Sequence, residues 1–167
     1  GGGIKNLDTY DYYQSVYPKC FTWCAEEALQ RMEDGNGAII GISSPGCNFN
    51  QQPALGYDMP GQAKAGMEVI ARYYAKRLAQ RRITCNIIIP GAVRSKAWTK
   101  VAGMMGTDQV ESFAEKTPMR CWIEPTDIGN AVAFLCSPQG KFITGVSLPV
   151  DGGLHLGMPS SYTSQKN

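Results

Sequence analysis

Ile83-Thr84-Cys85-Asn86-Ile87-Ile88-Ile89, stopped by Pro90-Gly91, is a short and nearly continuous apolar run. A strand with one wet face alternates apolar and polar residues, whereas a strand covered on both faces does not. The run therefore predicts a strand inside a sheet that has helices on both sides. Ala38-Ile39-Ile40-Gly41-Ile42, ending in Ser43-Ser44-Pro45-Gly46, has the same character upstream, and Val146 to Val150, closed by Asp151-Gly152-Gly153, has it downstream.

Between these runs the period changes to that of helices. From Thr9 to Met32 the positions Tyr13, Val16, Cys20, Cys24, Ala28 and Met32 follow helical spacing, with Asp8 or Thr9 as a cap and Pro18 as an early interruption. Met67, Ile70, Tyr74 and Leu78 mark a second long helix, with Pro60 suited to its first turn. Pro125 to Leu135 reads as a third, with Ile128, Val132, Phe134 and Leu135 facing inward. Helices alternating with buried strands call for an α/β fold built on a parallel sheet with right-handed crossovers.

Composition narrows the function classes. The 167 residues are 43% apolar and 18% charged, which fits one globular domain, and no stretch reaches the roughly 20 apolar residues of a membrane helix. Lys plus Arg number 16 against 14 Asp plus Glu, a net charge of +2, and the basic residues are scattered, so no nucleic-acid footprint is expected. The six cysteines form no Cys-x-x-Cys pair and follow no secretory segment, which suggests free thiols in the cytoplasm; Cys20 and Cys24 read as small buried hydrophobes. His155 is the only histidine, so no metal site is expected.

The ordered pieces Ile42-Ser43-Ser44, Ala63-Lys64-Ala65, Asn86 to Ser95, Pro118-Met119-Arg120, Glu124 to Ile128, Ile143-Thr144-Gly145 and Val150 to Gly153 together resemble the short-chain dehydrogenase/reductase family. The resemblance covers nearly all of the chain and implies a Rossmann-like, doubly wound parallel sheet, of which these residues are the second half. Residues 1–157 would form this partial domain and 158–167 a frayed tail. The family's Gly-rich pyrophosphate turn has no counterpart here, because Gly35-Asn36-Gly37 precedes a strand instead of following one. Gly1-Gly2-Gly3 falls where the family ends its fourth strand, so the isolated chain is expected to have little or no activity.

The resemblance further implies NADPH or NADH as cofactor and a Ser, a Tyr and a Lys around the nicotinamide. Lys64 fits the ammonium that would hold the nicotinamide ribose and lower the pKa of a phenol. Four residues before it stands Pro60, where the family usually has its Tyr, but Tyr57 gives a Tyr-x6-Lys spacing similar to that of the short-chain enoyl-acyl carrier protein reductases. Trp23 to Ala28 and Ile70 to Ala75 also look like that branch. Ser44 would donate to the substrate oxygen, a feature that favours carbonyl or imine reduction, while Ser43 belongs to the turn. Ile42, Pro90, Gly91, Val93 and Ser95 correspond to positions that contact the cofactor, with Gly91 permitting close approach of backbone to ligand. The Asn expected on the first helix is replaced by Tyr17, which reads as core filler.

The implied reaction is hydride transfer to an activated C=C, C=O or C=N bond of a small molecule. Trp98, Met104 and Met105, in the segment from Lys96 to Lys116, suggest a lid over an apolar or acyl substrate. Asp58 offers an alternative proton donor, as in atypical family members that act as cyclases, isomerases or iminium reductases. A third possibility is a non-catalytic homologue. In every case the two long helices are the expected homodimer or homotetramer contact.

Overall fold

A computed structural model describes residues 7–48, 53, 56–96, 114, 115 and 117–157. The Ile83 run is the central strand β2 (Ile83–Pro90), flanked by β1 (Gly37–Ile42) and β3 (Ser147–Val150). Both pairings are parallel, with Gly37 opposite Ile83 at one end of the first pair and Pro90 opposite Val150 at the end of the second. The interior of β2 is buried throughout, as its unbroken apolar run requires. β1 departs from the expectation of burial on both faces: Ile39 and Gly41 are buried, but Ile42 is 43% exposed.

Among the described residues, four α-helices accompany the sheet. α1 (Leu7–Gln14) and α2 (Cys20–Leu29) are joined by a π-helical turn, Ser15–Lys19. The interruption expected at Pro18 takes the form of this turn, with no loop between the helices. The missing N–H of Pro18 removes one bond of the α pattern, and the wider turn closes around the gap, with the Cys20 N–H reaching back to Ser15 O. The helix already begins at Leu7, so Asp8 and Thr9 lie within its first turn. α3 (Asp58–Leu78) carries Met67, Ala71, Tyr74, Ala75 and Leu78 at helical spacing into a core with Ile39, Cys85, Ile87 and Ile89. α4 (Pro125–Cys136) opens with a capping box between Glu124 and Asp127. It packs against β1 and β2 and buries Leu135.

Two expectations about packing fail. Phe134 is 47% exposed, because its neighbour Leu135 occupies the inward position and both cannot face one sheet. Cys20 and Cys24 are exposed, their sulfurs 3.9 Å apart on the outer side of α2. Cys47 and Cys85 are the buried thiols. Trp98, Met104 and Met105 and the tail from Met158 onward lie outside the described residues. Among the described residues, no helix is long and apolar enough to cross a membrane, and no group of three His, Cys, Asp or Glu could hold a metal ion.

Candidate active site

Three of the buried polar residues, Ser43, Lys64 and Glu68, gather around the end of β1 and the first turns of α3. β1 stops at Ile42, yet the Ser43 N–H still donates to Ile88 O at 2.8 Å, so the chain runs on beside β2 and delivers Ser43 and Ser44 to the carboxyl end of the sheet. Tyr57 is the residue just before α3, and Lys64 follows two turns inside it. The distances join these residues into a chain. Lys64 Nζ donates to Ser44 Oγ at 2.6 Å and to Ser43 O at 3.2 Å. Ser44 Oγ and Tyr57 OH share a hydrogen bond of 3.0 Å. Ser44 thus stands between the ammonium and the phenol.

Burial shapes the acid–base character of the cluster. Lys64 is only 8% exposed, and this loss of hydration pulls its pKa below the ordinary lysine value, against the upward pull of Cys47 and Glu68. Tyr57 moves the other way from the expectation of a lowered phenol: burial raises its pKa, and the Ser44 bond offsets only part of that. The reason is geometric, since Lys64 bonds Ser44 instead of the phenol itself. Burial likewise pushes the Cys47 thiol up, with Lys64 opposing it.

Glu68, one turn beyond Lys64, is 5% exposed. Its carboxylate accepts from Ser43 Oγ, from Asn48 Nδ2 at 3.2 Å and from Ser147 Oγ at 2.9 Å. It ties β1, the loop after it and β3 to α3. Ser43 is therefore more than part of a turn, because its carbonyl holds Lys64 and its hydroxyl holds Glu68. A glutamate in an amphipathic helix ordinarily reads as a surface charge, and the signal that could have marked this one is its place on the face of Lys64.

The other sequence candidates are distributed around this cluster. Asp58 is exposed in the first turn of α3, where a carboxylate suits the helix dipole. Ile42 and Pro90 end their strands; Val93 pairs with Ile123, and Ser95 is exposed beyond it. Gly91 has a reason of its own: a Cβ there would lie 2.7 Å from Asp151 Cα, so the glycine is demanded by close packing of two strand ends. Asp151 is the capping acid of the last turn, accepting from the Gly153 and His155 N–H groups at 2.9 Å each. Tyr17 is not simple filler, because Lys64 Nζ stands 4.9 Å from the centroid of its ring.

The donor set suits a nicotinamide and its ribose: an ammonium and two hydroxyls meet at the carboxyl ends of parallel strands, where such sheets bind ligands. Comparison with known proteins identifies the family. The family model described as enoyl-(acyl carrier protein) reductase matches residues 5–155. The chain is 34% identical to the 3-oxoacyl-[acyl-carrier-protein] reductase FabG of Staphylococcus epidermidis, across 92% of this chain and 60% of that protein. It is 32% identical to the 2,5-dichloro-2,5-cyclohexadiene-1,4-diol dehydrogenase LinX of Sphingobium indicum, across 76% and 48%. The solved angucycline C-6 ketoreductase LanV with bound NADP superimposes with a TM-score of 0.79 at 28% identity, covering 92% of this chain and 57% of that one. The chain thus spans roughly half to three fifths of the proteins it matches. With its parallel sheet, its motif order and this match, the chain belongs to the short-chain dehydrogenase/reductase family.

Proposed function

We propose that the chain carries the substrate-side catalytic segment of an NAD(P)H-dependent reductase that converts a carbonyl group to an alcohol. The observation that carries this reading is the hydrogen-bonded series Lys64–Ser44–Tyr57. The named relatives support it, since a 3-oxoacyl reductase and a ketoreductase with bound NADP are among them.

When bound, a nicotinamide cofactor would supply the hydride for the carbonyl carbon. The chain's own residues serve the oxygen. Tyr57, a phenol protonated at neutral pH and held more firmly so by burial, gives its proton to the oxygen as negative charge develops there. Ser44, bonded to the same phenol, offers a second donor to that oxygen. With the single Ser44 proton on the substrate oxygen, the Lys64 ammonium, held against Ser44 Oγ, stabilises the phenolate by its field. Pro90 at the end of β2, Gly91, Val93 and Ser95 just past it, and Ile42 at the end of β1 are the positions proposed to line the nicotinamide. Asp58 stands exposed at the helix start and is given no part in the proton transfer.

The Tyr-x6-Lys spacing and the description of the matching family model favour a second reading, reduction of an activated C=C bond. The two readings part in a simple assay of the intact protein: NADPH and NADH consumption with a 3-oxoacyl thioester and with the corresponding 2-enoyl thioester. Turnover of the ketone with little of the enoyl compound is expected. Turnover of the enoyl compound alone would replace the first reading with the second, and consumption of neither cofactor with any acceptor would remove both. An acyl or otherwise apolar substrate is proposed from the character of Trp98, Met104 and Met105. Self-association as a dimer or tetramer is proposed through α2 and α3, whose outer faces expose Trp23, Val69 and Tyr73.

A further inference from the structure

A buried ammonium is stable only when its N–H directions meet partners. Lys64 has Ser43 O and Ser44 Oγ for two of them. The ring of Tyr17 is the third neighbour, its centroid 4.9 Å from Nζ. The π-helical turn around Pro18 carries that ring, and such turns recur at functional sites. Tyr13, one turn earlier, stacks on Tyr17 with centroids 6.0 Å apart and planes only 2° from parallel, which fixes the ring's orientation.

We propose that Tyr17 is a positioning residue for Lys64, its ring face keeping the ammonium charged and aimed at Ser44 and Tyr57. The inference rests on the role given to Lys64 above. The π face of the ring carries the effect and the hydroxyl does not. The other groups near Lys64 are Ser44, which in turn bonds Tyr57, the Cys47 thiol of the loop after β1, and Glu68 on α3 itself. Burial keeps Cys47 protonated, and the Glu68 carboxylate is already engaged by Ser43, Asn48 and Ser147. The aromatic face therefore opposes the desolvation that pulls Lys64 toward its neutral form.

The test follows the Lys64 15Nζ resonance and the alkaline limb of the turnover profile together, in the intact protein. In Tyr17→Leu both midpoints should fall by about one pH unit, while Tyr17→Phe keeps both at the wild-type position. Should the leucine variant not fold, phenylalanine, difluorophenylalanine and trifluorophenylalanine placed at position 17 drain the π face at nearly constant shape, and the Lys64 midpoint should fall stepwise along that series. An unmoved midpoint in the leucine variant or across the fluorinated series would overturn the proposal, as would a phenylalanine variant that falls as far as leucine. If the resonance moves and the turnover profile does not, the contact is upheld and the catalytic role assigned to Lys64 is what fails.

Discussion

α3 is two different helices in one. Its first three turns bury a lysine and a glutamate among serines, a phenol and a thiol. Its later turns bury Ala71, Tyr74, Ala75 and Leu78 against Ile83, Cys85 and Ile87, and take no charge inside. The same backbone thus spends free energy at one end and gains it at the other. Transfer of apolar side chains from water stabilises the second region by about 1.5–3 kcal/mol for each large residue. The lowered pKa of Lys64 records the opposite sign in the first.

Substitutions in the two halves should therefore separate activity from stability. The largest effect is expected for Lys64→Met, which should cost about 10²–10⁴-fold in turnover. Since the folded-state pKa of Lys64 lies below its unfolded value, the charged form opposes folding at neutral pH. Denaturant unfolding of the variant should accordingly show no loss of stability there, and a clear loss would mean that the ammonium holds the fold together. Ile87→Ala, on β2 against the apolar half of α3, should lower the unfolding free energy by about 2–5 kcal/mol and leave the pH profile of turnover unchanged.

A smaller effect belongs to the Cys85 thiol, which burial pushes up to about 12. The neutral thiol favours the folded state, so its contribution is complete below the ordinary thiol range and is lost as pH rises toward that value. The difference between wild type and Cys85→Ala in urea unfolding should change by at most about 1.4 kcal/mol per pH unit across this window. A flat difference would show that the thiol is not shielded. The smallest effect is expected for Arg77→Ala, which removes the 2.6 Å ion pair with Glu26 on the exposed side of α3. Both side chains are about half exposed, so a loss of under about 1 kcal/mol, diminishing with added salt, is expected.

Much of this division was legible in the sequence. Unbroken apolar runs identified β1 and β2, and Met67, Tyr74 and Leu78 marked the inner face of α3, because backbone period and burial are local properties. Ser44, Tyr57 and Lys64 emerged from motif order, and the structure brings them into one hydrogen-bonded series. What escaped depends on long-range contact. Glu68 is buried only because Ser43, Asn48 and Ser147 arrive from three other segments. The rise in the Tyr57 pKa follows from Lys64 choosing Ser44 as partner, which spacing along a helix does not reveal. Cys20 and Cys24 fit a buried periodicity by residue type, yet the apolar positions Phe21 and Ala25 took the inner face.

The turn at Ser15–Lys19 has a consequence for how this protein tolerates length change. A π-turn holds one residue more than the α pattern needs, so it behaves as an insertion absorbed without a loop. Each residue of an α-helix advances the face by about 100°. Removing one residue at this place would leave a continuous helix, with α2 seated as before and everything upstream of it turned by that angle. The aromatic pair Tyr13 and Tyr17 would then point elsewhere. The extra residue is what lets one helix keep two independent facings, one for the core and one for Lys64.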